Sequence, residues 1–171
     1  KLTGGFGDIR LGSVSGPVST LKHTAPNVGF RHEGGDTNNY IQVPTNATAS
    51  ASTNLAESGD AVKIVYISPV VAGGLRLGLG YTPSTVNADT SPLLTGAAAD
   101  EQVYEGSVSY EAKMGSSDIK LDVAMEHASG TSNDSHRGYR AGLNVTAGGI
   151  TVGGGVAKKD HQNTAKSNTT N

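Results

Sequence analysis

The chain has 171 residues, 35% of them hydrophobic, with 24 glycines and neither cysteine nor tryptophan, so a dry core is poorly supplied and disulfides, thiolate metal sites and thiol catalysis are excluded. A formal net charge of -2 without any basic run argues against nucleic acid as a partner. The start, Lys1 to Gly5, has no signal-peptide pattern, and no run approaches about 18 apolar residues, so helical membrane spans are excluded and any membrane crossing has to use strands.

Taken in chain order, period-two alternation predicts about seven strands of roughly nine to twelve residues, the length a tilted membrane-crossing strand needs. Near the start Ile9 and Leu11 flank Arg10, with Phe6 on the wrong parity. Val62, Ile64 and Tyr66 then alternate with Lys63, although Val65 and Ile67 blur the pattern. Leu75, Leu77, Leu79 and Tyr81 share one face, with Arg76 and two glycines on the other. Tyr104, Val108 and Tyr110 alternate with Glu105, Ser107, Ser109 and Glu111. Ile119, Leu121, Val123 and Met125 alternate with Lys120, Asp122, Ala124 and Glu126. Tyr139, Ala141, Leu143 and Val145 alternate with Arg140, Gly142 and Asn144, and Ile150, Val152 and Val156 alternate with Thr151, Gly153 and Gly155. One face is apolar throughout, and the other carries charge.

The connections alternate in length. Pro69 to Gly74, Lys113 to Ser117 and Ala147 to Gly149 are short; Gly12 to Asp60, Thr82 to Glu101, Ala128 to His136 and the tail from Lys159 are long. Tight turns on one rim and long loops on the other are the organisation of an antiparallel up-and-down transmembrane β-barrel. On that orientation Tyr81, Tyr104 and Tyr139 fall by the long-loop rim and Tyr66 and Tyr110 by the short-turn rim, as two lipid-facing aromatic girdles. A soluble two-sheet sandwich explains the alternation but leaves the sorting of loops and tyrosines to chance. A solenoid would need a fixed repeat, and none is visible.

The stretches Gly4 to Gly12, Asp60 to Pro69 and Ala72 to Tyr81 resemble parts of the general outer-membrane porins of Gram-negative proteobacteria. Gly4-Gly5-Phe6-Gly7-Asp8-Ile9-Arg10-Leu11-Gly12 resembles the strand before their constriction loop, and Asp60-Ala61-Val62-Lys63-Ile64-Val65-Tyr66-Ile67-Ser68-Pro69 the strand after it. Ala72 to Tyr81 resembles their pattern of turn, glycine and outgoing strand. The resemblance covers most of the chain. It implies an all-β fold, the bacterial outer membrane as location, lipid and lipopolysaccharide as surroundings, a homotrimer, and passive diffusion of small hydrophilic solutes and ions. Seven strands cannot close such a pore, so residues 1–171 are expected to be an internal portion of a barrel of about sixteen strands.

In that family the long third loop folds inward and sets acidic groups against a basic wall. Carried onto this chain, the resemblance makes residues 12–60 the loop and Glu33, Asp36, Glu57 and Asp60 its acids. The wall cations at lumen parity are then Arg10, Lys63, Arg76, Lys120 and Arg140, and opposed charges of this kind select by size and charge. The plainer reading is that these charges hydrate a polar face or form weak cross-strand pairs.

No catalytic constellation is visible. His23, His32, His127, His136 and His161 lie in loops or at strand ends without metal-ligand spacing. Gly78-Leu79-Gly80 lacks the third glycine of a nucleotide-binding turn, and Gly12-Ser13-Val14-Ser15-Gly16 has valine where a nucleophile elbow needs serine. Acidic loop residues such as Asp89, Asp100, Glu101 and Asp134 leave calcium as a minor alternative, without EF-hand spacing. The sequence therefore predicts a channel with no cofactor and no metal, and not an enzyme. A substrate-specific channel and a structural or adhesive surface β-protein are the competing readings.

Overall fold

A computed structural model of the chain describes residues 1–24, 55, 58, 59, 61–85, 100–130 and 134–163. These form one antiparallel sheet of eight strands in sequence order: β1 (Leu2–Gly4), β2 (Gly7–Ser13), β3 (Val62–Ile67), β4 (Leu75–Ser84), β5 (Asp100–Met114), β6 (Ser117–Gly130), β7 (Asp134–Ala147) and β8 (Ile150–Asn163). A single turn of helix, α1 (Pro17–Thr20), follows β2. The seven predicted strands lie where alternation puts them; the eighth is the three-residue β1, too short to show a period. Among the described residues β1 and β8 are each paired on one side only, so the sheet is open.

Two connections differ from expectation. Strand β6 runs to Gly130 and β7 starts at Asp134, so only residues 131–133 join them, and β8 continues past Lys159 to Asn163. Both differences have one cause. Beyond the apolar part of the strands, polar residues such as Ser129, Ser135 and Arg137 take over the apolar-face positions, so the period fades while backbone pairing continues.

The register shows how the sheet sorts its side chains. One transverse row joins Leu77, Val108, Val123, Ala141 and Val156, all on the apolar face. The next row joins Arg76, Ser109, Asp122, Gly142 and Gly155 on the opposite face. The apolar face is bare: Leu79 is 63% exposed, Val123 62% and Val156 71%. The polar face is the covered one, with Lys63, Glu105, Asp122, Glu126 and Arg140 all buried. A soluble sandwich buries the faces the other way round, and an apolar surface this large marks contact with something other than water.

Along β5 the apolar face runs from Tyr104 to Met114, five two-residue steps or about 34 Å of strand, which at a tilt of about 45° spans about 24 Å. That matches the apolar band of about 25 Å on outer-membrane barrels. At its upper edge Tyr81 and Tyr104 stand opposite each other with ring centroids 5.1 Å apart. Tyr139 lies on the same face of β7, and Tyr66, next to the last residue of β3, donates from its hydroxyl to the Phe6 carbonyl at 2.8 Å.

Val123, in the middle of β6, separates lipid contact from water contact. Val123→Arg is expected to cost about 2–4 kcal/mol in lipid-vesicle unfolding titrations, against about 0.5 kcal/mol for an exposed site in water. A cost below 1 kcal/mol would place this face in water.

Candidate functional site

The polar face gathers what the sequence leaves unplaced. After β2 the chain turns back over it, and α1 contacts β3, β4, β5 and β6. The turn is built locally: Gly16 lies in extended conformation before the helix, Pro17 occupies its first position, and Thr20 donates from Oγ1 to the Gly16 carbonyl at 2.9 Å. Leu21 and Val14 pack on Val65 and Ile67, while Val18 and Leu55 pack on Ala124. The blurred alternation of β3 is thereby explained. Val65 and Ile67 belong to the polar face by parity but are its apolar landing pad, each worth about 1.5–3 kcal/mol when fully buried.

One ion pair fastens the outgoing limb. Asp122 on β6 and Arg140 on β7 lie diagonally across adjacent strands, both side chains fully buried. Arg140 donates to Asp122 Oδ2 from Nε at 2.9 Å and from Nη2 at 2.7 Å, and Nη2 also donates to the Val18 carbonyl at 2.6 Å. The other carboxylate oxygen, Asp122 Oδ1, accepts the His23 backbone N–H at 2.7 Å. Two backbone groups of residues 18–23 thus end on a single charge pair. Gly142 makes the approach possible, because a Cβ there would collide with the His23 carbonyl.

A second polar lock holds both limbs. Ser58 donates to Glu105 Oε1, and Lys63 donates to Ser58 Oγ at 2.8 Å and to the Gly59 carbonyl. On the outgoing limb Gly16 lies against the Glu105 carboxylate so closely that any side chain at that position would overlap it. Glu105 stands opposite Glu126 in register, both buried.

All five expected wall cations fall on the polar face, in two groups. Lys63 and Arg140 are 2% exposed and spent on the locks. Arg10, Arg76 and Lys120 are partly exposed. Arg10 lies 3.5 Å from Asp8, which also pairs with Lys1 at 3.1 Å, and Lys120 lies 3.3 Å from Glu111. The expected loop acids Glu33, Asp36, Glu57 and Asp60 lie outside the described residues. Sequence reading missed Asp122, Glu105, Ser58 and His23 as anchors. The available signal was charge and apolar surface on the same face of β3, β5 and β6, which a water-filled lumen alone does not require.

His23 is held between these groups, with Nε2 3.5 Å from Glu111 Oε1. Burial nevertheless pushes its pKa below the ordinary 6.5, with Glu111 and then Asp122 pulling less strongly the other way. Burial prevails because the Glu111 carboxylate is 42% exposed and shared with Lys120, so solvent screens its pull.

A family model described as Gram-negative porin matches residues 1–171. No curated protein and no solved structure matches the chain.

Two predictions follow from the locks. Arg140→Met leaves Asp122 buried and uncompensated and is expected to destabilise by about 3–5 kcal/mol in denaturant titrations, with the Asp122→Leu/Arg140→Met double variant recovering much of the loss. Additive costs would show that the pair is not coupled. For His23 the folded state binds fewer protons than the unfolded one below pH 6.5, so attachment of residues 18–23 is complete above that pH and weakens as the pH falls below it. Hydrogen-exchange protection of the His23 amide should fall on acidification in the wild type and stay flat in His23→Gln; equal slopes would refute the assignment.

Proposed function

The chain belongs to the Gram-negative porin family, and from that premise we propose that it forms a water-filled channel for passive diffusion of small hydrophilic solutes and ions. As a porin it is an outer-membrane β-barrel protein of a bacterium, a channel and not an enzyme by family. The observation that carries the finer reading is the inward fold of residues 14–24 onto the polar face, fastened by Arg140 and Asp122. A diffusion pore needs a rigid narrowing, and a segment pinned through its backbone narrows the lumen without blocking it. In this reading residues 12–60 form the constriction loop, and Glu33, Asp36, Glu57 and Asp60 supply its acidic side.

The buried and the exposed cations then have separate tasks. Lys63 and Arg140 hold the loop. Arg10, Arg76 and Lys120 face the water and set the field, tempered by Asp8 and Glu111. Open backbone edges are not tolerated in hydrocarbon, so β1 and β8 continue into further strands that close the barrel. Tyr66, Tyr81, Tyr104, Tyr110 and Tyr139 form the aromatic girdles where the barrel meets lipid and lipopolysaccharide, and the working assembly is a homotrimer.

Arg76 gives the cleanest test, since its Nε is buried without a hydrogen-bond partner and no lock depends on it. Arg76→Glu changes the wall by two charges. At about 10 Å in water that is about 0.8 kcal/mol per ion before screening and about 0.3 kcal/mol at 0.1 M salt, opposite in sign for cations and anions, or a shift of about threefold in the cation-to-anion permeability ratio. Reversal potentials in planar bilayers under a salt gradient measure it. An unchanged ratio with an open channel would remove Arg76 from the permeation path, and no ohmic conductance at all would overturn the diffusion-pore reading.

A further inference from the structure

The bare apolar face is not smooth. A groove of about 690 Å³ crosses it from Tyr66 on β3 to Lys158 on β8. It runs between the row Leu79, Gly106, Met125, Tyr139, Lys158 and the row that contains Val123. Gly106 opens its middle, where every other residue of β5 on this face from Tyr104 to Tyr110 carries a large side chain.

The direction of the groove follows from the stagger of the short turns. Strand β3 ends at Ile67, one residue beyond Tyr66, so the first end of the groove lies by the short-turn rim. Strand β8 leaves its own short turn at Ile150, eight residues before Lys158, so the second end lies high, toward the long-loop rim. In a tilted barrel the groove therefore crosses the apolar band diagonally. At its upper end the lipid-facing parity turns basic: Lys158 is 73% exposed at its side chain, and the exposed Arg137 neighbours Tyr139 on β7. Asp160 stands opposite Arg137 in register and pairs with Lys158 at 3.0 Å, which leaves one net positive charge.

Cations on a lipid-facing surface cost from about 2–4 kcal/mol at mid-membrane down to about 0–1 near the interface, so two of them at the end of an apolar groove call for an anion. A phosphate at the headgroup level supplies it, and the chain attached to that phosphate has a groove to follow into the membrane. We propose that this groove is a binding site for a phosphate-bearing membrane lipid, with an acyl chain over Gly106 and the headgroup phosphate held by Arg137 and Lys158. The site rests on the membrane-barrel orientation of the proposed function and deepens it. The Lys158–Asp160 pair is a surface pair worth at most about 1 kcal/mol, weak enough for Lys158 to exchange it for phosphate. Leucine at position 106 would fill the groove without backbone strain, since a Cβ there meets Met125 Cγ at 3.5 Å, an ordinary contact.

The test is native mass spectrometry of the full chain in a non-ionic detergent, offered phosphatidylglycerol or phosphate-free diacylglycerol with identical acyl chains. The wild type should retain phosphatidylglycerol at least about fivefold better, the ratio expected from one added phosphate contact of about 1 kcal/mol. Arg137→Gln/Lys158→Gln should abolish that preference, Gly106→Leu should reduce retention of both lipids, and Asp160→Asn should raise retention of phosphatidylglycerol. Equal retention of the two lipids by the wild type overturns the site. So does a Gly106→Leu variant that changes oligomeric state while keeping its lipid, since a second copy would then be the occupant. The outcome is separable from the pore reading: an open channel without lipid preference refutes only the lipid site, and lipid preference without conductance refutes only the pore.

Discussion

A sheet that turns its apolar side outward has only its polar side with which to hold whatever folds against it. Everything distinctive about this chain follows from that constraint. The side facing the lumen offers little apolar surface beyond Val65, Ile67, Val103 and a few alanines, so the inward segment is not kept in place by hydrophobic burial alone. It is kept by charge. Arg140 and Asp122 bond each other and also hold a carbonyl at Val18 and an amide at His23. Such a pair is not a large net source of stability, because desolvation offsets most of its attraction. Its value is positional: any displacement of the segment strands a buried charge or a buried backbone group, so the position is sharply defined.

The same arithmetic separates the cations by task. A fully buried guanidinium that already has a carboxylate and a carbonyl cannot exchange with passing ions, and Lys63 is likewise committed to Ser58 and Gly59. Partly exposed cations remain within reach of solvent and, in the proposed channel, act on solutes through a screened field. On that proposal electrostatic selectivity and mechanical rigidity are carried by different members of one parity set. Acidification bears on the mechanical set through the desolvated His23.

Much of this fold is legible in the chain by itself. Leu75 to Tyr81 and Ile119 to Glu126 alternate so cleanly that their strand character, their two faces and the short turns beside them need no coordinates, because a period of two admits no other regular structure. What fails is informative. Residues 128 to 136 read as a loop because polar side chains occupy both faces there, yet the backbone ladder of β6 and β7 continues through most of them. Val65 and Ile67 look like noise in an alternating strand and are instead the seat of the inward segment. Neither feature is local: each depends on what lies across the sheet, from solvent in one case to Leu21 in the other.

The sequence alone determined the strand periodicity, the apolar and charged faces, the parity of Arg10, Lys63, Arg76, Lys120 and Arg140, and the absence of any long apolar helix. These follow from the alternation of side chains along a single extended backbone. Only the tertiary structure decided which of those charges are spent on one another and which still face water, because Asp122 meets Arg140, Val18 and His23 through register and chain reversal. Partners 99 and 122 residues apart in the chain leave no period in a sequence; they are fixed only when the strands have paired and the chain has turned back over them.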